Sequence, residues 1–557
     1  MKKIFSTILV SAAAASIMTG CIEVVEPQSS TVSLEQAINA PGSFDRFVSG
    51  LTTNLCGNFT YAGSDHRVYD YGYPSFFLTR DVEGMDIVPV GTNNWYDTWY
   101  QEQTYLSAGY AVTQLPWTYY YGWIKDCNTV LKLGGVSNYS KPIEGREEGV
   151  GRAYTLRAMY YFDLARMYAT TSYAENKNAL TTVKVTETTT IAEAQNNERM
   201  TWDEATKFIL HDLDSAEVYL ANYKRADKYT PDLSVVYGLK ARVYLEMEDW
   251  ANAEKYAKLA QSGYTVMNKA QYTSWEEGFN TPNDSWMFAV NFKNTDPVIT
   301  ENDGDSSWGS VMILENGFEC GYAANYGGPM VIDRHLYETI PDSDFRKNVF
   351  VDFKLDDMPK ADALEALKKY SKYPERIYAS GVSAAEYGLG GLSLKFRNAK
   401  GKENVKYEAW CVSVPLMRVE EMKLIEIEAA GMQDEARGKA LLEEFAKTRD
   451  PEFVYGTHNE SYFDGGKNNA FRNEVWWQRR VELWGEGFAT FDLKRLRKGI
   501  IRSYEGTNHI EGARWNVTET PNWMVWCFVG TESNYNHGLT KNPDPVIPDA
   551  DSDKFVW

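Results

Sequence analysis

The sequence predicts a mainly α-helical protein, with paired helices as a scaffold and long loops that carry a few short strands. Three observations predict it. Apolar residues recur at three- and four-residue steps through several long blocks. Two of those blocks have the small-residue helix–turn–helix design of tetratricopeptide units. Between the blocks lie long stretches rich in Gly, Asn, Asp, Ser, Thr and aromatic residues, with little periodicity.

Taken in order, the chain opens with Lys2 and Lys3, followed by an apolar, small-residue run from Ile4 to Met18. That run is too short and too rich in Ala and Ser to span a membrane, and it suits the core of an export signal. Met18-Thr19-Gly20-Cys21 resembles a bacterial lipobox. The expectation is a signal peptide over residues 1–20 and lipidation at Cys21, against the plainer alternative of an ordinary secretory signal. Each acyl methylene buried in a bilayer contributes about 0.8 kcal/mol, so a multi-acylated cysteine is a durable anchor. Glu23 and Glu26 resemble the acidic flank of lipoproteins exported to the cell surface.

Pro116 to Leu133 and Glu147 to Tyr168 read as amphipathic helices; in the second, Leu156, Met159, Tyr160, Phe162 and Met167 keep helical spacing. Thr201 followed by Glu204 is a capping box that opens a helix running to Leu220. Thr230-Pro231 reads as another start, an N-cap with proline in the first helical position. From there one helix runs to about Met247, Glu248-Asp249 turns the chain, and Trp250 to Ala260 forms its partner. Ala241, Ala253 and Ala260 are the small residues that allow close approach, and Tyr244 is the large filler. Arg418 to Ala430 and Gln433 to Thr448 repeat the design, with Ala429-Ala430-Gly431 expected at the bend. Trp286 to Phe292 alternates like a strand.

The irregular stretches are 55–115, 170–200, 263–330 and 450–470. No Pro- or Gly-rich linker divides the chain, so residues 21–557 are expected to form one unit. Its helical pairs lie near 116–260 and 418–500, and its loop-rich regions near 55–115 and 263–330. Loops of such length inside a folded protein usually serve function.

Composition excludes several classes. Lys and Arg number 57 against 77 Asp and Glu, a net charge of −20 that loss of Lys2 and Lys3 would take to about −22. No basic footprint for nucleic acid is present. Beyond Cys21, the cysteines at 56, 127, 320, 411 and 527 are odd in number and widely spaced, which indicates neither a disulfide framework nor a zinc site. No later run reaches the roughly 18 apolar residues of a membrane span.

Three segments together resemble the SusD/RagB family of Bacteroidetes outer-membrane nutrient-binding lipoproteins. They are Arg152-Ala153-Tyr154-Thr155-Leu156-Arg157-Ala158-Met159-Tyr160-Tyr161-Phe162-Asp163-Leu164, then Pro415 to Ala430, then Arg479-Arg480-Val481-Glu482-Leu483 with Glu486-Gly487 and Phe491-Asp492-Leu493-Lys494-Arg495. Gln478 stands where the family pattern has a glutamate, and Ala489-Thr490 interrupt its usual arginine. Arg480, Glu482, Glu486, Asp492 and Arg495 are expected to be structural, pairing along the helix or tethering neighbouring loops. The resemblance implies a SusD-like fold: a TPR-like scaffold presenting a loop-built ligand face, docked as a lid on a SusC-like, TonB-dependent outer-membrane barrel.

Catalytic motifs are missing: there is no HExxH, P-loop, GxSxG elbow or Rossmann glycine pattern, and the six histidines stand singly. Asn302-Asp303-Gly304-Asp305 lacks the frame of a calcium loop and reads as a turn. Neither metal nor cofactor is expected. The candidate ligand residues are aromatic plates beside amides. Asn93, Asn94, Trp95, Tyr96, Trp99 and Tyr100 form one group, in which Trp95/Trp99 and Tyr96/Tyr100 are i,i+4 pairs. Trp308, Tyr322, Asn325 and Tyr326 form a second, among glycines that let backbone approach a ligand. In both, core packing is an equal alternative, whereas Trp117, Tyr121 and Trp123 are assigned to core. The leading expectation is a non-catalytic, lipid-anchored outer-membrane protein facing the cell exterior. It would pass oligosaccharides to a SusC-like transporter. The alternatives are capture of peptides and, behind that, a surface glycosidase.

Overall fold

The computed structural model describes residues 40–57, 72–90, 96–101, 106–300, 307–317, 321–325, 328–383, 389–458 and 460–557. Cys21 and the expected export signal lie outside them, as do Asn302–Asp305, where a turn is expected. The chain divides into two units, Met1–Phe47 and Val48–Trp557. The second contains the helices and strands described below.

Ten scaffold helices follow in order: α1 Gly72–Val82, α2 Ala111–Leu133, α3 Glu147–Tyr168, α4 Trp202–Leu220, α5 Leu233–Glu246, α6 Trp250–Ala260, α7 Val419–Gln433, α8 Glu435–Lys447, α9 Ala470–Glu482 and α10 Ala489–Leu496. From α2 to α8 each helix packs on the next, which makes a continuous stack that crosses the 263–410 segment through α6 and α7. The fold is mainly α. Strands are short and form two-stranded antiparallel pairs: Ile87–Pro89 with Met330–Ile332, Leu180–Val183 with Arg199–Thr201, Trp286–Asn291 with Ser413–Arg418, and Ile500–Ile501 with Asn516–Val517.

Local signals account for many boundaries. The Thr201 hydroxyl accepts from the Glu204 amide while the Glu204 carboxylate accepts from the Thr201 amide, so the expected capping box is formed. Helix α3 spans the expected residues. Helix α2 starts earlier than expected, at Ala111, and runs through Pro116. Three local expectations need correction. Helix α5 is capped by Asp232 and not by Thr230: the Asp232 carboxylate accepts from the Ser234 and Val235 amides. Ala429, Ala430 and Gly431 are inside α7, and the turn comes at Asp434, which caps α8. The 55–115 stretch contains α1, all of whose residues are buried.

Close helix approach explains the small residues. Ala241, Ala253, Ala257 and Ala260 are fully buried where α5 meets α6, and the Tyr244 and Tyr256 rings stack at 5.5 Å. At the α7–α8 crossing a Cβ on Gly438 would lie 2.2 Å from the Gly431 Cα, and one on Gly431 would lie 2.0 Å from Cε1 of Phe471. Leu424, Ile427, Leu442, Phe445, Phe471 and Val475 form the apolar core around that crossing.

Charged residues of the third sequence segment form a buried ion-pair network, and most of its partners are remote in sequence. Glu482 is paired with Arg418 (3.2 Å), Arg449 (3.1 Å) and Arg346 (3.3 Å). Glu486 takes Arg418 at 2.8 Å and Lys395 at 2.6 Å. Arg495 forks onto Glu428 (2.6 and 2.9 Å) and also pairs with Asp492, which receives Arg479 as well. Arg480 reaches across 394 positions to Asp86 at 2.6 Å. Gln478, the departure from the family pattern, accepts from Arg346 at 2.8 Å. In the first segment Arg157 forks onto Asp212 (2.8 and 2.7 Å), and Asp163 is held by Arg80, Arg166, Tyr73 and Tyr120.

Candidate functional site

The first aromatic group divides between described and undescribed residues. Asn93, Asn94 and Trp95 lie outside the described chain. Tyr96 precedes a one-turn helix, Asp97–Tyr100, whose Trp99 and Tyr100 amides donate to the Tyr96 carbonyl. Trp99 is 1% exposed, and Tyr96 and Tyr100 have no exposed surface. The Tyr96 and Trp99 rings lie against each other at 6.0 Å. The Tyr100 hydroxyl bonds His509 Nδ1 at 2.8 Å, and the Arg502 guanidinium lies 4.5 Å from its ring. A ring enclosed in this way has no face to offer a sugar. The plate reading of Tyr96, Trp99 and Tyr100 is therefore corrected to packing: the spacing that gathers them on one side of the turn inserts that side into the protein.

The second group behaves differently along its length. Trp308 begins the helix Trp308–Met312, capped by Ser307, and is fully buried edge-on to Phe396 at 4.7 Å. It too is corrected to packing. Gly309 and Gly321 serve close approach to protein. A Cβ on Gly309 would lie 2.9 Å from Trp410, and one on Gly321, where φ is +90°, would lie 2.8 Å from the same ring. Tyr322 is half-buried, its amide donating to the Ser310 hydroxyl at 3.0 Å; Asn325 closes its helix, and Tyr326 lies outside the described residues. Trp117 and Trp123 are buried in α2 as expected.

The helix Tyr322–Asn325 packs on a second one, Pro374–Ser383, and this contact leads to a polar, tyrosine-bearing rim. Arg376 organises it. Its guanidinium donates to the Glu315 carbonyl at 2.7 Å, to the Glu403 carbonyl at 3.3 Å and to the Asn404 side chain, and it lies 4.1 Å from the Tyr373 ring. Gly317 leaves room for it, since a Cβ there would stand 2.6 Å from the guanidinium. On the same loop as Asn404, Tyr407 has φ +67°, a conformation costly for an aromatic residue and associated with functional loops. Glu408 follows, paired with Lys402 at 2.6 Å and receiving Asn294 at 3.4 Å; those two partners hold its carboxyl below the ordinary range.

Tyr322, Tyr373 and Tyr407 are all half-buried, so each ring combines a fixed position with some exposed surface. Of these, Tyr373 lies against Arg376, which also holds Asn404, so a ring face and hydrogen-bonding groups stand side by side there, the combination that a hydroxyl-rimmed, C–H-faced sugar requires. Sequence reasoning missed Tyr373, Arg376, Asn404 and Tyr407. Tyr373-Pro374 is a readable helix start, but nothing local shows that Arg376 meets a loop 28 positions away.

Other chemistry has little support. Burial pushes the Cys56 and Cys127 thiols far above the ordinary range and the Cys411 thiol up to about 12, which removes them as nucleophiles. Among the described residues no group of three or more His, Cys, Asp or Glu side chains could hold a metal ion. Also among them, no helix is long and apolar enough to cross a membrane.

Residues 72–245 match the SusD-like family model described as starch-binding and associating with the outer membrane. No curated protein matches the chain. Among solved structures, the chain is similar to a SusD-like carbohydrate-binding protein from Bacteroides vulgatus, with a TM-score of 0.67 and 20% identity over 89% of this chain and 97% of that one. A SusD superfamily protein from Bacteroides thetaiotaomicron gives 0.64 and 16% over 92% and 100%. A laminarin-binding SusD-like protein gives 0.60 and 16% over 90% and 98%. At these identities the likeness concerns the fold.

Proposed function

We propose that this chain, whose residues 72–245 match the SusD-like family model and whose fold is SusD-like, is a cell-surface glycan-binding lipoprotein of the SusD/RagB family that delivers oligosaccharides to a SusC-like, TonB-dependent barrel. The contact of Tyr373 with Arg376, beside Asn404, supports the reading: a half-buried ring next to an amide and a guanidinium suits a sugar. The starch-binding description of the matched family and the laminarin-binding fold relative support the same ligand class. In this proposal Cys21 carries the lipid anchor, and the ligand is held without covalent change.

Titration calorimetry against maltooligosaccharides, laminarin oligosaccharides and a wider glycan panel tests the binding. Tyr373→Ala and Tyr407→Ala should each weaken the best glycan by about five- to tenfold, the worth of one aromatic contact. Melting temperatures should stay near the parent's. Tight binding of peptides with no binding of any glycan would replace this reading with peptide capture, and release of reducing ends would make the protein a glycosidase. Cys21→Ala should leave the body folded and release it from the outer-membrane fraction when the partner barrel is absent; retention there would contradict the anchor.

A further inference from the structure

A cleft of about 260 Å³ opens beside the turn that follows strand Trp286–Asn291, and Tyr373, Arg376 and Tyr407 are not among its lining residues. Its lining includes Arg152, Asp227, Tyr229, Asn291, Lys293 and Asp296. The volume lies just below the roughly 300 Å³ at which small-molecule pockets begin, room for about one sugar ring.

Arg152 is the unusual group. It projects from the first turns of α3, half-buried, with its guanidinium 4.5 Å from the Tyr223 ring. Its Nε is buried and has no hydrogen-bond partner, and among the described residues no carboxylate stands within ion-pair distance of it. Arg157, five positions along the same helix, is forked onto Asp212 and bonded to Glu187. The Arg152 terminal nitrogens are not among the enclosed, unpartnered atoms, and a guanidinium without a carboxylate of its own is one that an arriving carboxylate can meet with two parallel hydrogen bonds.

The rest of the cleft bears on which anion fits. The two carboxylates are engaged in local turns: Asp227 accepts from the Tyr229 amide at 2.9 Å, and Asp296 accepts from the Lys293 amide at 2.7 Å. Lys293 is exposed, and among the described residues its ammonium has no carboxylate partner. Two cations and two carboxylates make the cleft close to neutral overall, so it selects a carboxylate placed at Arg152 and not anions at large. Tyr229 is half-buried, its hydroxyl tied to Ser413 at 2.9 Å, which holds the ring in place; Asn291 accepts from the same serine at 3.0 Å. A fixed ring and an amide beside a carboxylate receptor suit a sugar that carries its own acid.

We infer that this cleft is a second saccharide site, one that takes a uronate residue through a two-pronged contact between Arg152 and the sugar carboxylate. The inference rests on the glycan-binding reading above and adds to it a charged substrate class and a second set of residues.

Calorimetry with tri-galacturonate and its methyl ester compares two ligands that differ only in charge. The wild-type chain should bind the acid at least tenfold more tightly than the ester. Arg152→Met keeps the apolar stem against Tyr223 and should bring the acid down to the ester's affinity, while Arg152→Lys should restore part of the difference. Binding of a neutral glycan that depends on Tyr373 should be unchanged in both variants. Equal affinity of wild type for acid and ester overturns the inference, and this comparison needs no variant to fold. Acid binding that survives Arg152→Met also overturns it. Full displacement of the acid by 10 mM inorganic sulfate would mark a general anion site and overturn the uronate assignment. If neither acidic nor neutral glycans bind, the failure is that of the glycan reading itself.

Discussion

Trp99 and Tyr373 are both aromatic residues in loop-rich parts of the chain, and their surroundings give them opposite roles. Trp99 is enclosed, so Trp99→Ala should open a cavity and lower stability by about 3–5 kcal/mol, with glycan affinity affected only through loss of folded protein. Tyr373 is half-exposed, so its removal should change stability by less than about 1 kcal/mol. Urea denaturation and calorimetry on the two variants check this as a crossed pair. A Trp99→Ala protein that is stable but binds glycan poorly would return the residue to the ligand face.

At the level of elements, the α7–α8 pair depends on two glycines more than on the alanines of its design. Gly431→Ala would drive a methyl group into Phe471, and overpacking of a tight core is destabilising by about 1–3 kcal/mol. Pairing the change with Phe471→Leu should recover part of the loss by opening space at the same point. If the double variant is no more stable than Gly431→Ala alone, the Phe471 contact is not what requires glycine. The α4 capping box is a smaller element of the same kind: Thr201→Ala leaves the Glu204 amide without its cap and should lower the thermal midpoint by the equivalent of about 1 kcal/mol.

Across the whole molecule, buried charge sets the pH response. Burial alone would raise the Glu428 carboxyl, but Arg495 and Arg472 hold it at about 2, below its ordinary 4.5. A depressed carboxyl contributes stability above its unfolded value, so this contribution is lost as pH falls from about 4.5 to 2. Glu482 and Glu486 are also lowered, by Arg449, Arg418 and Arg346 for the first and Arg418 and Lys395 for the second, against the opposing effect of burial. They act in the same direction. Asp81 has the opposite sign: burial pushes it up to about 7 despite amides from Gly487 and Ala489. Its protonated form favours the fold, and that contribution disappears as pH rises from about 4 to 7. Burial lowers Lys494 to about 8, so the fold recovers stability as pH rises from 8 towards 10.5. Urea midpoints taken across pH 2–10 should show these slopes, and Glu428→Gln should flatten the acid limb. Arg418→Met should lower stability by about 3–5 kcal/mol, because it leaves Glu482 and Glu486 buried with fewer partners. A loss under 1 kcal/mol would show that the network relaxes around the gap.

The sequence by itself determined the mainly α class, the full extent of α3 and α6, the capping box at Thr201 and the strand after Asp284, because each is written in a few consecutive residues. It also placed the α5 start within two residues; Asp232 took the cap because its carboxylate reaches two amides that Thr230 does not. The structural roles of Arg480, Glu482 and Arg495 were legible as paired charges, but their partners were not, since Asp86 and Arg480 stand 394 positions apart. Tertiary structure alone decided which aromatic rings are enclosed. The spacing of Tyr96, Trp99 and Tyr100 puts them on one side of a turn, and that side faces either core or ligand depending on what the rest of the chain brings to it. The same is true of the rim, where Arg376 meets Asn404, and of Arg152, whose missing acceptor is a property of its surroundings. Local sequence specifies the period and the ends of an element, while burial and ion pairing depend on residues that only the folded chain brings together.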